Sequence, residues 1–261
     1  MTAGLPVARG RRIGGALLPV LLAAMFFVLA WKAVVLIGGY PTFILPAPEL
    51  VAGRFVEAWA EGTMTPHALA TLTEIGWGLL VGATSAVAVG YLLARSTLAE
   101  RLFSPYIVAA QATPILVLAP LLVLWLGTGL AAKVVICALI VFFPVAVATM
   151  VGIRSVDSRL LELGRSLRAT RWQIVRYLEL PAALPQILGG LRVGATLAVI
   201  GAIVGEWAGA DRGLGYLINL ARGSLFDIPL MFATLVTIAA IGVALYLAVV
   251  LAERALVGTW R

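Results

Sequence analysis

The sequence predicts an all-α integral membrane protein with six transmembrane helices. Three observations carry that prediction. The 261 residues are 62% hydrophobic and only 12% charged, with a mean hydropathy of +1.06. Soluble domains run at about 45–50% apolar and about 25% charged, and a water-soluble fold of this size could not hide so much apolar surface. Six apolar stretches reach the length of about 18 residues or more that a helix needs to cross the hydrocarbon layer. The cationic residues between those stretches fall mostly on one side.

The six spans are 17–37, 68–94, 105–126, 130–151, 187–208 and 228–251. The first is too long for a cleavable signal, and no small-residue cleavage pattern follows it. Span two is rich in glycine, and Gly78 and Gly82 form a GxxxG pair. Gly189, Gly190, Gly194 and Gly201 crowd span five. Lipid supplies no hydrophobic drive between helices, so such residues mark close backbone approach. The third span contains Pro114 and Pro120, and the fourth Pro144. These predict kinks, because neighbouring helices can satisfy the carbonyls that a proline frees.

With the N-terminus inside, thirteen of the 19 cationic residues face the cytoplasm, from Arg9, Arg11 and Arg12 to Arg261. Five lie outside: Lys32, Arg54, Lys133, Arg212 and Arg222. That bias follows the positive-inside rule and places both termini in the cytoplasm. A net charge of +7 therefore describes membrane topology and not a nucleic-acid surface. A lone Cys137 excludes an intramolecular disulfide, and one histidine, His67, offers no metal cluster. His67 reads as a wetted residue at a helix start. Glu74, near the outer end of span two, is either hydrated there or functional at membrane depth.

Between spans one and two, Pro48 opens a short amphipathic helix over 48–61, with Leu50, Val51, Phe55 and Trp59 at helical spacing. It lies on the outer membrane surface or packs on the protein's own spans. The connection before span five is different. Asp157 caps a helix over 158–167, whose stripe is Leu160, Leu161, Gly164 and Leu167. Thr170 and Gln173 form a capping box that starts a second helix at Arg171. Pro181 and Pro185 are expected to stop it. Three readings fit this arginine-rich pair of helices: an anchor for anionic lipid, a plain connector, or a platform for a cytoplasmic partner.

The same segment resembles the EAA loop of ATP-binding-cassette importer permeases. Glu162 matches the motif's glutamate, and Leu178-Glu179-Leu180-Pro181 matches its tail at the same spacing. Leu163 and Gly164 replace the two alanines, and Arg168 replaces the glycine. A glycine would suit a left-handed turn there, so Arg168 either adopts that strained backbone or another one. Further matches run in order along the chain: Leu45-Pro46-Ala47-Pro48, Pro120-Leu121, Trp125 to Gly129 with Lys133, Phe143-Pro144, Gly152 to Asp157, Glu206 with Gly209, and Gly213 to Tyr216. They resemble the branch that imports nitrate, sulfonates, taurine and thiamine precursors.

The resemblance implies a MetI-like type I importer domain over residues 1–261 in the bacterial cytoplasmic membrane. Residues 157–180 would be its cytoplasmic coupling helices, and the chain would be a non-catalytic subunit. It implies as partners a cytoplasmic ATPase that binds ATP and Mg, a second permease copy and an extracytoplasmic solute-binding protein. Glu162, Arg165, Ser166, Leu167, Arg168, Ala169, Thr170, Trp172 and Gln173 would contact the ATPase. This chain has no nucleotide site of its own: the nearest Walker-like text, Gly127 to Val134, lacks the second glycine and the Ser/Thr. No metal or cofactor is expected in it.

Pathway candidates are Gln111, Thr113, Thr196, Glu206 and Trp207, each of which could instead bond a neighbouring helix. An anionic solute would be repelled by Glu206, which favours a gating or structural role for it. The rival class is an ion-coupled secondary transporter or channel working without an ATPase. It would need buried charges, for which the sequence offers Glu74 and Glu206.

Overall fold

Lipid offers backbone N–H and C=O groups no water to bond, so apolar runs fold into helices that satisfy them internally. The computed structural model describes residues 14–258, so Arg9, Arg11, Arg12 and Arg261 lie outside the described residues. The helices are α1 (Gly14–Gly38), α2 (Pro48–Ala60), α3 (Met64–Arg95), α4 (Thr97–Ala112), α5 (Ile115–Leu126), α6 (Leu130–Arg154), α7 (Ser158–Ser166), α8 (Arg171–Ile174), α9 (Leu180–Ala208), α10 (Leu214–Arg222) and α11 (Ile228–Gly258). Among the described residues five helical segments are long and apolar enough to cross a membrane, and α4 with α5 makes a sixth, broken span.

The core is a slab of three helices with α6 in the middle. Side chains absent at glycines let the backbones touch. A Cβ at Gly78 would strike Cys137, and one at Gly82 or Gly90 would strike the Ala138 or Ala146 carbonyl, all on α6. From the other side, Gly190 closes on Ala148 and Pro144, and Gly201 on Cys137. The GxxxG pair of span two thus packs against α6. Ile75, Ala86, Val141, Val145, Ala198 and Ala202 fill the space between the three helices. Cys137 is buried and free, and its thiol lies 3.6 Å from the Ala198 carbonyl.

Two expectations need correcting. The third span was expected as one helix over 105–126. It begins earlier, at Thr97, and bends by 96° between Ala112 and Ile115. Ser96 caps its start by accepting from the Ala99 N–H. Pro114 has no N–H to continue the ladder and holds Thr113 extended at ψ 121°. The kink is therefore a full break.

Pro181 and Pro185 do not stop the second coupling helix. It runs on into α9, giving one helical segment over Arg171–Ala208. A π-helical turn, Val175–Glu179, makes this possible, and the Leu180 N–H bonds to the Val175 carbonyl five residues back. The wider turn shifts the register ahead of the ring of Pro181, which would otherwise clash with the preceding turn.

The short helix after span one packs on the protein. Val51 and Ala58 of α2 are buried with Met64, Ala68, Leu214, Leu217 and Leu230, while Leu50 and Val56 stay exposed. Arg54 Nε donates to Asp227 Oδ2 at 2.7 Å, and Asp227 caps α11 through the Leu230 N–H. That carboxylate raises the Arg54 guanidinium above its ordinary pKa. α1 lies at the edge with its apolar surface open, and Trp31 stacks on Phe232 of α11 at 5.8 Å.

Candidate functional site

Three features stand out: an exposed segment at one end of the slab, a cleft on its flank, and a buried polar junction at the opposite end.

The exposed segment is α7–α8. Asp157 caps α7 by accepting from the Arg159 N–H. Thr170 Oγ1 accepts from the Gln173 N–H, and Gln173 Oε1 accepts from the Thr170 N–H, so the capping box is complete. Gly164 lets the helices fold on each other, with room for Leu178 and Ile174 against its backbone. Only part of the apolar stripe is covered: Gly164 is buried and Leu161 half-buried, while Leu160 and Leu167 are exposed. Glu162, Arg165, Ser166, Arg168, Thr170 and Gln173 are also exposed, and Ala169 is half-buried. Leu167 is 74% and Trp172 70% exposed. Arg168 sits at φ +57°, the left-handed region. The Arg168 N–H bonds the Arg165 carbonyl and the Ala169 N–H bonds the Gly164 carbonyl, so the turn holds a conformation that L side chains disfavour.

The cleft has a volume of about 940 Å³ and lies between the bent α4–α5 pair and the flank of α6 and α9. Gln111, Thr113 and Gln186 are its polar side chains, set among Pro114, Phe143, Pro144 and aliphatic residues. Among the described residues no charged side chain lines it. Of the pathway candidates it gathers Gln111 and Thr113. Thr196 bonds back to the Val193 carbonyl of its own helix at 2.9 Å. Gln186 is not among the sequence-derived candidates, because it lies just outside the fifth span expected over 187–208, whereas the helix here begins at Leu180.

The polar junction holds the remaining candidates. Glu206 is 2% exposed. It accepts from the Thr71 hydroxyl at 2.6 Å and from the Gly215 N–H. The Leu214 N–H donates to Thr71 Oγ1 at 2.9 Å, and the Gly213 N–H to His67 Nδ1 at 3.1 Å. The first N–H groups of α10, which a helix cannot satisfy itself, are thus taken up by α3 and α9. Gly213 is required here: φ is +123° and a Cβ would enter the Glu206 carboxylate. Trp207 Nε1 donates to the Gly215 carbonyl at 3.1 Å.

His67 lies in the first turn of α3, half-buried, with its ring stacked on Tyr216 at 5.8 Å. Glu74 is buried, and its Oε1 lies 3.4 Å from Lys133 Nζ. Lys133 is therefore an internal counter-charge and not an outer loop cation. The Glu74–Lys133 pair joins α3 to α6. It was not legible because its members are 59 positions apart and each looks like a loop-proximal charge. Among the described residues no cluster of three metal-ligating side chains occurs.

Comparison with known proteins adds a family. Residues 78–258 match the model of the binding-protein-dependent transport system inner membrane component. The riboflavin transport system permease protein RibX of Chloroflexus aurantiacus is 46% identical over 240 residues, covering 92% of this chain and 88% of that one. The formylaminopyrimidine transport permease protein ThiX of Halalkalibacterium halodurans is 35% identical, over 94% and 96% of the two chains. The putative aliphatic sulfonates transport permease protein SsuC of Bacillus subtilis is 32% identical, over 95% and 87%. Among solved structures, an inward-facing MetNI methionine ABC transporter aligns with a TM-score of 0.64 at 23% identity, over 72% of this chain and 93% of that one. That likeness supports the MetI-type fold.

Proposed function

This chain belongs to the family of binding-protein-dependent transport system inner membrane components, and from that premise we propose what it carries and how it is driven. It is a multi-pass permease subunit of an ATP-driven importer, a non-catalytic role. The family membership weighs against the ion-coupled rival, and of the two buried carboxylates it would need, Glu206 is engaged by Thr71 and a main-chain donor.

The substrate is an uncharged heteroaromatic solute, with riboflavin the first candidate. The cleft carries this reading. An anion such as nitrate or a sulfonate would leave water for a cleft without a cation, at a cost of several kcal/mol by order of magnitude. A neutral ring bearing amide groups suits it better. Gln111 and Gln186 can each donate and accept, and Phe143 offers an aromatic face. The similarity to a riboflavin permease at 46% identity points the same way.

Two copies of the chain enclose the pathway, and both termini face the cytoplasm, as the positive-inside bias supports. Each copy offers α7–α8 to one ATPase subunit, which binds ATP and Mg. Exposed Trp172 and Leu167 supply apolar anchors, and Arg165 and Arg168 supply charge. Closure of the ATPases on ATP drives the segments together and rocks the spans between inward and outward openings. A solute-binding protein delivers substrate at the opposite end.

Reconstitution with the ATPase and binding protein tests the substrate. Uptake of labelled riboflavin, with taurine and nitrate not transported, is expected. Uptake of taurine in preference to riboflavin would overturn the substrate reading. Glu162→Lys tests the docking: loss of ATPase co-purification is expected, and unchanged binding and transport would remove Glu162 from the contact.

A further inference from the structure

A carboxylate with 1% exposure needs a reason to be there. Glu179 is such a group, and it sits in the π-helical turn between α8 and α9. Its carboxylate pairs with the Arg95 guanidinium at the last residue of α3. The Tyr91 hydroxyl lies 3.4 Å from Glu179 Oε2, Arg95 Nε donates to that hydroxyl at 3.3 Å, and the guanidinium stands 5.7 Å from the Tyr91 ring centroid. The three side chains form one closed unit.

Its place is unlike that of the other ion pairs at this end. Arg154 grips Glu100 and the Leu93 carbonyl, which ties α6 to the corner between α3 and α4. Arg192 pairs with Glu253, which ties α9 to α11. Neither involves the stretch from α7 to the π turn. Among the described residues, Glu179–Arg95 is the ion pair that joins this stretch to a helix other than α9, into which it runs.

The backbone there is also set apart. The turn uses an i−5 hydrogen bond, and π turns inside α-helices frequently occur at functional sites. α3 then runs the length of the slab. Thr71 and Glu74 on its opposite part are bonded into the junction with Glu206, Lys133 and the start of α10.

We propose that the Glu179–Arg95–Tyr91 unit is the joint through which a displacement of the coupling segment is delivered to α3, and along α3 to the polar junction at the far end. The inference rests on the reading of α7–α8 as the ATPase contact. α9 receives the push through its own backbone; α3 receives it at its inner end through this joint. With the joint intact, α3 and α9 move as one body, and α10 moves with them. Without it, ATP hydrolysis turns over while α3 lags behind α9, whose own backbone carries Glu206 to the same junction. Glu179 and Arg95 are positioning residues, since neither lines the cleft.

The test uses the full importer, reconstituted with its ATPase and binding protein. Glu179→Gln and Arg95→Gln are compared with the parent for ATPase co-purification, ATP hydrolysis, and solute taken up per ATP hydrolysed. Both variants are expected to hold the ATPase and hydrolyse ATP, while uptake per ATP falls at least tenfold. Arg95→Lys, which keeps the charge, is expected to recover a substantial part of it. Unchanged uptake per ATP in either Gln variant overturns the proposal. So does a parallel fall of co-purification, hydrolysis and uptake, which is the signature of a merely structural pair. If Glu179→Gln does not accumulate, the part-exposed Arg95 variants decide the outcome alone. Failure of the docking reading looks different: Glu162→Lys would then assemble and transport normally, whatever the Gln variants do.

Discussion

At one end of the α3–α6–α9 slab, Glu206, Glu74 and Lys133 are buried and answer one another or the main chain. At the other end, Glu162, Arg165, Arg168 and Trp172 stand in the open on two short capped helices. Charge withdrawn from water must be compensated within the chain. Charge and apolar surface left outside can be compensated by something else. The first end is answered mostly from within, with Glu74 Oε2 the buried oxygen left without a hydrogen-bond partner, and the second has the composition of half an interface.

The contrast breaks most sharply at Lys133. Replacing it by Met leaves Glu74 as a buried charge without its partner, which costs about 3–5 kcal/mol. The detergent-solubilised variant should melt well below the parent, and an unchanged melting curve would mean the pair is not a stability element. Trp172→Ala should do the reverse. It leaves melting untouched and weakens ATPase binding by roughly 30-fold, the equivalent of about 2 kcal/mol at an interface anchor, as read by titration of the ATPase onto nanodiscs.

Thr71→Val removes a hydroxyl that both donates to Glu206 and accepts from the Leu214 N–H. A loss of about 1.5 kcal/mol is expected, with hydrogen exchange rising first at the start of α10. Equal exchange there would show that α10 does not depend on the junction. The smallest effect sharpens the comparison instead. Arg168→Gly relieves a left-handed backbone at φ +57° and should stabilise the subunit by about 1 kcal/mol. If the Arg168 side chain touches the ATPase, the same change weakens assembly, so the two assays should move in opposite directions.

Much of this was legible in the chain and some was not, for physical reasons. Hydropathy marks a span because length and apolarity are local properties, so the slab helices were found. Capping at Asp157 and Thr170 was found because a cap needs only residues two or three apart. The EAA spacing marked Arg168 as a turn residue, and the turn is left-handed with Arg168 in it. The break at Thr113–Pro114 was underestimated, since a proline alone does not say whether neighbours will repair its helix. The π turn ahead of Pro181 has no residue signature at all. Lys133 was placed in a loop because the positive-inside count treats every cation as solvated, and only packing reveals that Glu74 waits for it on another helix.

The glycine contacts that press α6 between its neighbours have a consequence for the cleft. One of its walls, from Leu139 to Val151 with Gln186 and Leu197, belongs to helices whose backbones already touch. Close-packed interiors transmit strain and do not stretch. The opposite wall is α4–α5, two short rods meeting at a 96° elbow with Gln111 and Thr113 beside it. Any change in the bore of the cleft therefore falls on the elbow. The α6–α9 wall acts as an anvil of constant shape, and the elbow sets the width of the cleft.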